Sequence, residues 1–167
     1  SVLAAAASSC PEARIRGALV AERVPHLGGP GREILAGFRY DRAFGPVVFL
    51  GVGGLDAEYL QSVLQPERAR GIRSTLGLTE EAARLMIRGT LVHQVLCVGL
   101  RSAPRQAVSE EGLTRLLVRL SALAEAHAGL APAGGLGLSE LEVNPFVVAE
   151  DGRIVALDAL ARLHRPA

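Results

Sequence analysis

The sequence predicts an α+β fold, a mainly antiparallel sheet flanked by helices, and three observations carry that prediction. Apolar residues alternate on both sides of Glu150-Asp151-Gly152, which is the period of half-buried strands, and Gly152 offers the positive φ that a tight connection needs. Two more strand-like runs, residues 32–41 and 45–51, are separated only by the short turn at residues 42–44. Ser109 stands where it can cap a long amphipathic helix reaching about His127, with Leu113, Leu116, Leu117, Leu120 and Leu123 on one face.

The remaining elements follow in chain order. Residues 2–9 read as a helix, and residues 16–24 as a strand ahead of the Pro/Gly-rich turn at 25–31. Gly51 to Gly54 open into a helix over residues 55–64, whose first turn carries Asp56 and Glu58 beside the positive helix end. Residues 65–77 are Arg-rich without clear periodicity and read as a mobile loop. Thr79 caps a helix that begins at Glu80 and Glu81 and runs through Arg88. Residues 91–98, an apolar stretch, fit either a helix or a buried strand. Residues 128–138 form a Gly/Ala/Pro loop that returns to the final hairpin.

Composition narrows the function classes. At 167 residues with 49% hydrophobic and 21% charged residues, the chain has ordinary globular usage and can bury a core. Eighteen basic residues against 17 acidic leave a net charge of +1, and with two Tyr, four Phe and no Trp there is neither a basic block nor a stacking platform for nucleic acid. No apolar run reaches the ~18 residues of a membrane helix. The alanine-rich start lacks a basic segment and reads as helix rather than signal peptide. Cys10 and Cys97 are too few and too distant to frame a secreted fold, so both are expected as reduced thiols in the cytoplasm. His26, His93, His127 and His164 adjoin no acidic partner in sequence, and none is assigned a catalytic role.

The last third carries the chemistry. Residues 140–145 read Glu-Leu-Glu-Val-Asn-Pro, and residues 154–158 read Ile-Val-Ala-Leu-Asp. With a three-residue loop at 150–152, Ala149 pairs with Arg153, Asn144 lies opposite Asp158, and Glu142 shares their face. A two-residue loop inverts Asp158, because a slip of one residue reverses side-chain direction. Carboxylate, amide and carboxylate oxygens on one face suit a hard cation such as Mg²⁺, which keeps few protein ligands and completes its shell with water and phosphate. The alternative is a solvent-exposed polar face on an antiparallel sheet. Asn and Pro inside an otherwise strong strand oppose the local fold, which favours a task for them.

These residues resemble the carboxyl-terminal metal hairpin of the ATP-grasp fold, in the version found in NDP-forming acyl-CoA synthetases and the succinyl-CoA synthetase β subunit. The resemblance extends upstream in order. Residues 18–24 look like the family's hinge strand, residues 31–37, 44–49 and 51–54 like its next two strands and glycine loop, and residues 78–82 and 99–104 also fit. It implies an ATP-grasp carboxyl-terminal subdomain over residues 17–167, with residues 1–16 a remnant of the lid subdomain. Mg²⁺ would be held by Glu142, Asn144 and Asp158, and ATP or ADP by Ala21, Glu22, Val24, Glu33, Arg39, Gly53, Gly54 and Glu58. Each has a plainer reading. Glu22, Glu33 and Glu58 are equally surface carboxylates, Arg39 a partner of Asp41, and the glycines a turn rather than a nest of phosphate-binding amides.

What the resemblance implies about function is acyl-CoA + NDP + phosphate ⇌ carboxylate + CoA + NTP, with phosphoryl passing between nucleotide and a phosphohistidine. The expected partners are the nucleotide, a CoA-binding domain or subunit bearing that histidine, and the rest of the lid. No nucleic acid or membrane is expected, and the open sheet flank leaves self-association available. All 18 basic residues are Arg, so the lysine that ATP-grasp lids use on the phosphates is absent. Close relatives also carry a Lys three positions beyond the Glu that matches Glu58, where this chain has Gln61. The intact metal set favours a ligase whose separate half is inactive. The lost lysine favours a degenerate module of a protein acetyltransferase that binds acyl-CoA or nucleotide for regulation.

Overall fold

The chain was analysed as a computed structural model that describes residues 2–55, 57–100, 107–128 and 137–164. Six strands form one sheet in the order β3-β2-β1-β4-β5, with β6 also paired to β4. The strands are β1 (Ile34–Asp41), β2 (Gly45–Val52), β3 (Arg70–Ser74), β4 (Gly137–Val148), β5 (Ile154–Ala156) and β6 (Ala159–His164). Every pairing is antiparallel. The β1–β2 turn is closed by Asp41, whose carboxylate accepts the Ala43 and Phe44 N–H groups at 2.8 and 3.1 Å.

Helices α4 (Glu80–Arg88), α5 (Leu91–His93) and α6 (Glu110–His127) pack on one face of this sheet. There Ile34, Ala36, Val48, Leu50, Val52, Val143, Phe146 and Val148 meet Ala83, Ile87, Val92, Leu96, Leu113 and Leu117 in one core. The caps are those the sequence predicts: Thr79 Oγ1 accepts the Ala82 N–H at 3.1 Å, and Ser109 Oγ the Gly112 N–H at 3.0 Å. Residues 91–98 are helical, α5 running into a π-helical turn over Gln94–Val98.

Three expectations need correction. Residues 16–24 form no strand. A strand is defined by its ladder, none of the described residues pairs with this segment, and Leu19 and Val20 are 95% and 92% exposed. Contact with the sheet begins only at the His26–Ala149 bridge and the Leu27 N–H to Val148 carbonyl bond of 3.1 Å. Residues 65–77 are not a loop throughout, since they hold the short helix α3 (Pro66–Ala69) and strand β3. The buried stripe of α6 is rotated from the one expected: Leu113, Leu117, Leu120 and Ala124 are buried, whereas Leu116 lies on its flank and Leu123 is 37% exposed. The helices over residues 2–9 and 55–64 appear as α1 (Val2–Ser9), without a buried residue, and α2 (Ala57–Val63). Asp56, most of the 128–138 loop and most of the 99–104 match lie outside the described residues.

An ionic cluster joins the helices. Arg88 Nε and Nη2 donate to Glu110 at 2.8 and 2.9 Å, His93 Nε2 lies 2.9 Å from the same carboxylate, and Arg84 Nε is 3.5 Å away. The Arg88 hydrogen bonds, helped by His93 and opposed by partial burial, hold the Glu110 carboxyl below its ordinary range.

Leu117→Ala should lower stability by about 2–5 kcal/mol, as core truncations do. Leu123→Ala should cost less than about 1 kcal/mol, and equal losses in urea denaturation would contradict the rotated stripe. Because the Glu110 carboxyl is depressed in the folded state, its contribution is complete above the ordinary Glu value of about 4.3 and disappears as pH falls through the lower folded value. The wild-type chain should therefore lose more stability than Glu110→Gln between neutral pH and pH ~3. Parallel pH profiles for the two would refute that coupling.

Candidate functional site

The face of the sheet opposite α4–α6 carries the candidate residues. Pairing puts Glu140, Glu142 and Asn144 there along β4, with Arg39 and Gly37 opposite Glu140 and Glu142 on β1, and Phe49 and Gly51 on β2. The register of the last hairpin is the one a three-residue loop dictates. Gly152 has φ +84°, the Ala149 N–H donates to the Arg153 carbonyl at 2.9 Å, and the Asn144 N–H donates to the Asp158 carbonyl at 3.1 Å. Pairing continues without a slip from Val148–Ile154 to Glu140–Arg162, so Asp158 lies opposite Asn144 and Glu142 opposite Leu160.

Asn144 and Pro145 sit where the β1–β4 register shifts, between the Ile34–Phe146 and Ala36–Val143 pairs. The Asn side chain fills this irregularity: its Oδ1 accepts the Gly54 N–H at 2.8 Å, fastening β4 to the connection between β2 and α2. Glu33 reaches the same point. Its carbonyl accepts the Gly53 N–H at 2.8 Å, and its side chain packs so closely over Gly54 that a Cβ there would collide with the carboxylate. A Cβ on Gly53 would come 2.8 Å from Asn144 Oδ1 and 2.7 Å from the Ile34 carbonyl carbon. The amides of Gly53 and Gly54 thus serve Glu33 and Asn144, and these two glycines do not form the expected open nest. They permit a close approach instead.

Glu33, Gly53, Gly54 and Asn144 are therefore brought together, and the Asp158 backbone pairs with Asn144 beside them. Asn144 Oδ1 retains a second lone pair, and Asp158, whose Oδ1 accepts the Ala159 N–H at 2.9 Å, retains Oδ2. With the half-buried Glu142 they present two carboxylates and one amide, hard oxygen donors of the kind Mg²⁺ takes. No group of three His, Cys, Asp or Glu side chains disposed to hold a metal occurs among the described residues, so any cation here depends on the Asn. Glu140 is engaged elsewhere, accepting from Arg162 Nε at 2.7 Å.

The other candidates lie apart. Glu22 and Val24 line a depression of about 240 Å³ with Glu150, Asp151, Arg153 and Val155, at the hairpin tip. Five residues of strand, roughly 17 Å, separate that tip from Asn144. Ala21 is exposed and does not line the depression, and Glu58 is exposed on the first turn of α2. Arg39 is exposed beside Glu140 in the sheet; it acts on Asp41 only through charge, because the Asp41 carboxylate serves the turn. Sequence reasoning missed Arg70, which the misread segment 65–77 contains. Its guanidinium lies 5.6 Å from the Phe49 ring centre on this same face.

The comparisons with known proteins agree with this geometry. The model of an ATP-grasp domain family matches residues 1–163. The chain is 29% identical over 148 residues to an ADP-forming acetate–CoA ligase of Archaeoglobus fulgidus, covering 87% of this chain and 18% of the relative. It is likewise 29% identical over 149 residues to the β subunit of the Pyrococcus furiosus ADP-forming acetate–CoA ligase I, covering 89% and 54%. It thus spans 18% and 54% of these two relatives' length. A dinucleotide-forming acetyl-coenzyme A synthetase 1 of Ca. Korarchaeum cryptofilum, solved with coenzyme A and Mg-AMPPCP, superposes with a TM-score of 0.61 at 25% identity, over 82% of this chain and 55% of that one. A Pyrococcus horikoshii structure matches 99% of this chain and 60% of its own, with a TM-score of 0.65 at 23% identity, and so bears on the fold alone. A mostly antiparallel sheet with helices on one side, a glycine connection fastened to a Glu-x-Asn-Pro strand, and a family match over nearly the whole length have one reading: the chain belongs to the ATP-grasp family and is related to the ADP-forming acyl-CoA synthetases.

Proposed function

We propose that this chain is the nucleotide- and Mg²⁺-binding half of an ADP-forming acyl-CoA synthetase ATP-grasp domain, residues 17–167 being its carboxyl-terminal subdomain and residues 1–16 the end of its lid. The observation that carries the reading is the hairpin register, which puts Asn144 opposite Asp158 and Glu142 on their face in a chain of this family. The nucleotide would lie along β4, its base toward the depression at Glu22 and Val24 and its phosphates toward Glu142, Asn144 and Asp158. When bound, Mg²⁺ supplies charge neutralisation across the terminal phosphates during phosphoryl transfer. Asn144, fastened to the Gly54 N–H, would orient the site, and the carboxylates of Glu142 and Asp158 would hold the cation. Transfer to a phosphohistidine and the use of CoA would require a partner domain or subunit, in keeping with the β-subunit relative.

A second reading, a regulatory acetyltransferase module that binds nucleotide or acyl-CoA without catalysis, is favoured by Gln61. This amide stands where close relatives carry Lys, and it lies 3.5 Å from Arg70 Nη2.

Titration calorimetry with Mg-ADP tests the main reading. Asp158→Asn should weaken binding by about tenfold or more, roughly 1.4 kcal/mol. Glu140→Gln, which alters a carboxylate already paired with Arg162, should change affinity less than about twofold. Chelating the Mg²⁺ should abolish the difference between wild type and Asp158→Asn. Equal affinities in the presence of Mg²⁺ would reduce the hairpin to a polar sheet face.

A further inference from the structure

The cleft of about 470 Å³ beside β3, lined by Gln61, Pro66, Glu67, Ala69, Arg70 and Ile72, has no part in that reading. Arg70 is its one cationic wall, and its guanidinium is both held and incompletely satisfied. Its Cζ lies over the Phe49 ring, 5.6 Å from the centroid and within cation–π range, which limits where the group can sit. Nη2 reaches Gln61 Oε1 only at 3.5 Å, the outer limit of a hydrogen bond, and Nε is buried without an acceptor among the described residues. An arginine has five donors and no acceptor, so a guanidinium with an unanswered Nε and a marginal Nη2 contact has donors to spare for an oxyanion that enters the cleft.

Its position relates it to the nucleotide face. Arg70 pairs with Gly51, Gly51 pairs with Leu35, and Leu35 borders the irregularity that Asn144 fills. Three strand spacings, roughly 14 Å, separate the Arg70 and Asn144 backbones on one face. A long Arg side chain and a polyphosphate can share such a gap. Glu67 also lines the cleft; it forms no ion pair with Arg70 among the described residues, and its charge disfavours a bare anion relative to one partly neutralised by a cation.

We propose that Arg70 is an oxyanion anchor that takes a phosphate of a metal-bound nucleotide lying on this sheet face, with Gln61 as the acceptor that parks it when the site is empty. The proposal rests on the nucleotide reading above and adds a cation to a site whose sequence has no lysine.

The test is calorimetric titration of the full chain with Mg-ATP, adenosine and Mg-tripolyphosphate, for wild type, Arg70→Gln, Gln61→Glu and Arg73→Gln. Arg70→Gln should weaken Mg-ATP binding by about tenfold or more and leave adenosine unchanged. Gln61→Glu keeps the arginine and its stacking, yet should weaken Mg-ATP similarly, because the introduced carboxylate competes for the guanidinium. Arg73→Gln, exposed on β3 and directed to the other face, should bind as wild type. Wild-type affinity for Mg-ATP in both Arg70→Gln and Gln61→Glu would overturn the anchor, even while Asp158→Asn still lost affinity and upheld the nucleotide reading. Conversely, Arg70-dependent binding of Mg-tripolyphosphate without any binding of Mg-ATP would leave Arg70 an oxyanion site but overturn its assignment to a nucleotide, and with it the nucleotide reading. Failure of wild type to bind either would overturn both.

Discussion

The bond between Asn144 Oδ1 and the Gly54 N–H is the constraint on which the arrangement of this face depends. It joins residues 90 positions apart and closes the one break in the β1–β4 ladder, where the backbone would otherwise hold an unanswered amide in a half-buried place. With Asn144 so fixed, Glu33 lies over Gly54, and the continuous register of β4 with β5 and β6 sets Asp158 across from it. A side chain that reads as a metal ligand is thereby also a structural fastener, and the two tasks are compatible because a carbonyl-type oxygen has two lone pairs.

The two sheet faces divide the labour. One buries branched aliphatic residues against α4 and α6 and supplies the stability of the domain. The other alternates glycines, carboxylates, an amide and arginines, with Ile72 and Leu160 each 53% exposed at its margins. Glycines at 37, 51 and 53 are required by close approach: a Cβ at Gly37 would run into the Leu141 carbonyl and the Phe49 ring.

Local rules made the hairpin legible. A three-residue loop ending in Gly and period-two alternation determine register within a dozen residues, and the Thr79 and Ser109 caps follow from one side chain each. Non-local pairing was not legible. Residues 70–74, Arg-Gly-Ile-Arg-Ser, hold one apolar side chain and become a strand only because β2 offers a free edge, whereas residues 16–24 look more strand-like and find no ladder. The two glycines after β2 suggested amides free for phosphate; that Glu33 and Asn144 take them depends on contacts across the sheet that no local pattern encodes. The residue types of the expected metal set were visible, and that Asp158 stands opposite Asn144 required the register.

Among the described residues strand β3 has one neighbour, β2, and its outer side carries backbone donors and acceptors that no described strand takes. It is short, five residues, and both its arginines are long, permanently charged and of one sign. A second copy approaching edge to edge would have to bring Arg70 and Arg73 against their own counterparts without a lysine-like loss of proton to relieve them. The far side of the sheet differs, since Arg162 on β6 is paired with Glu140 across the ladder and brings no unpaired charge to that edge. Among the described residues, two arginines on a five-residue edge strand therefore weigh against pairing of β3 with a second copy of itself.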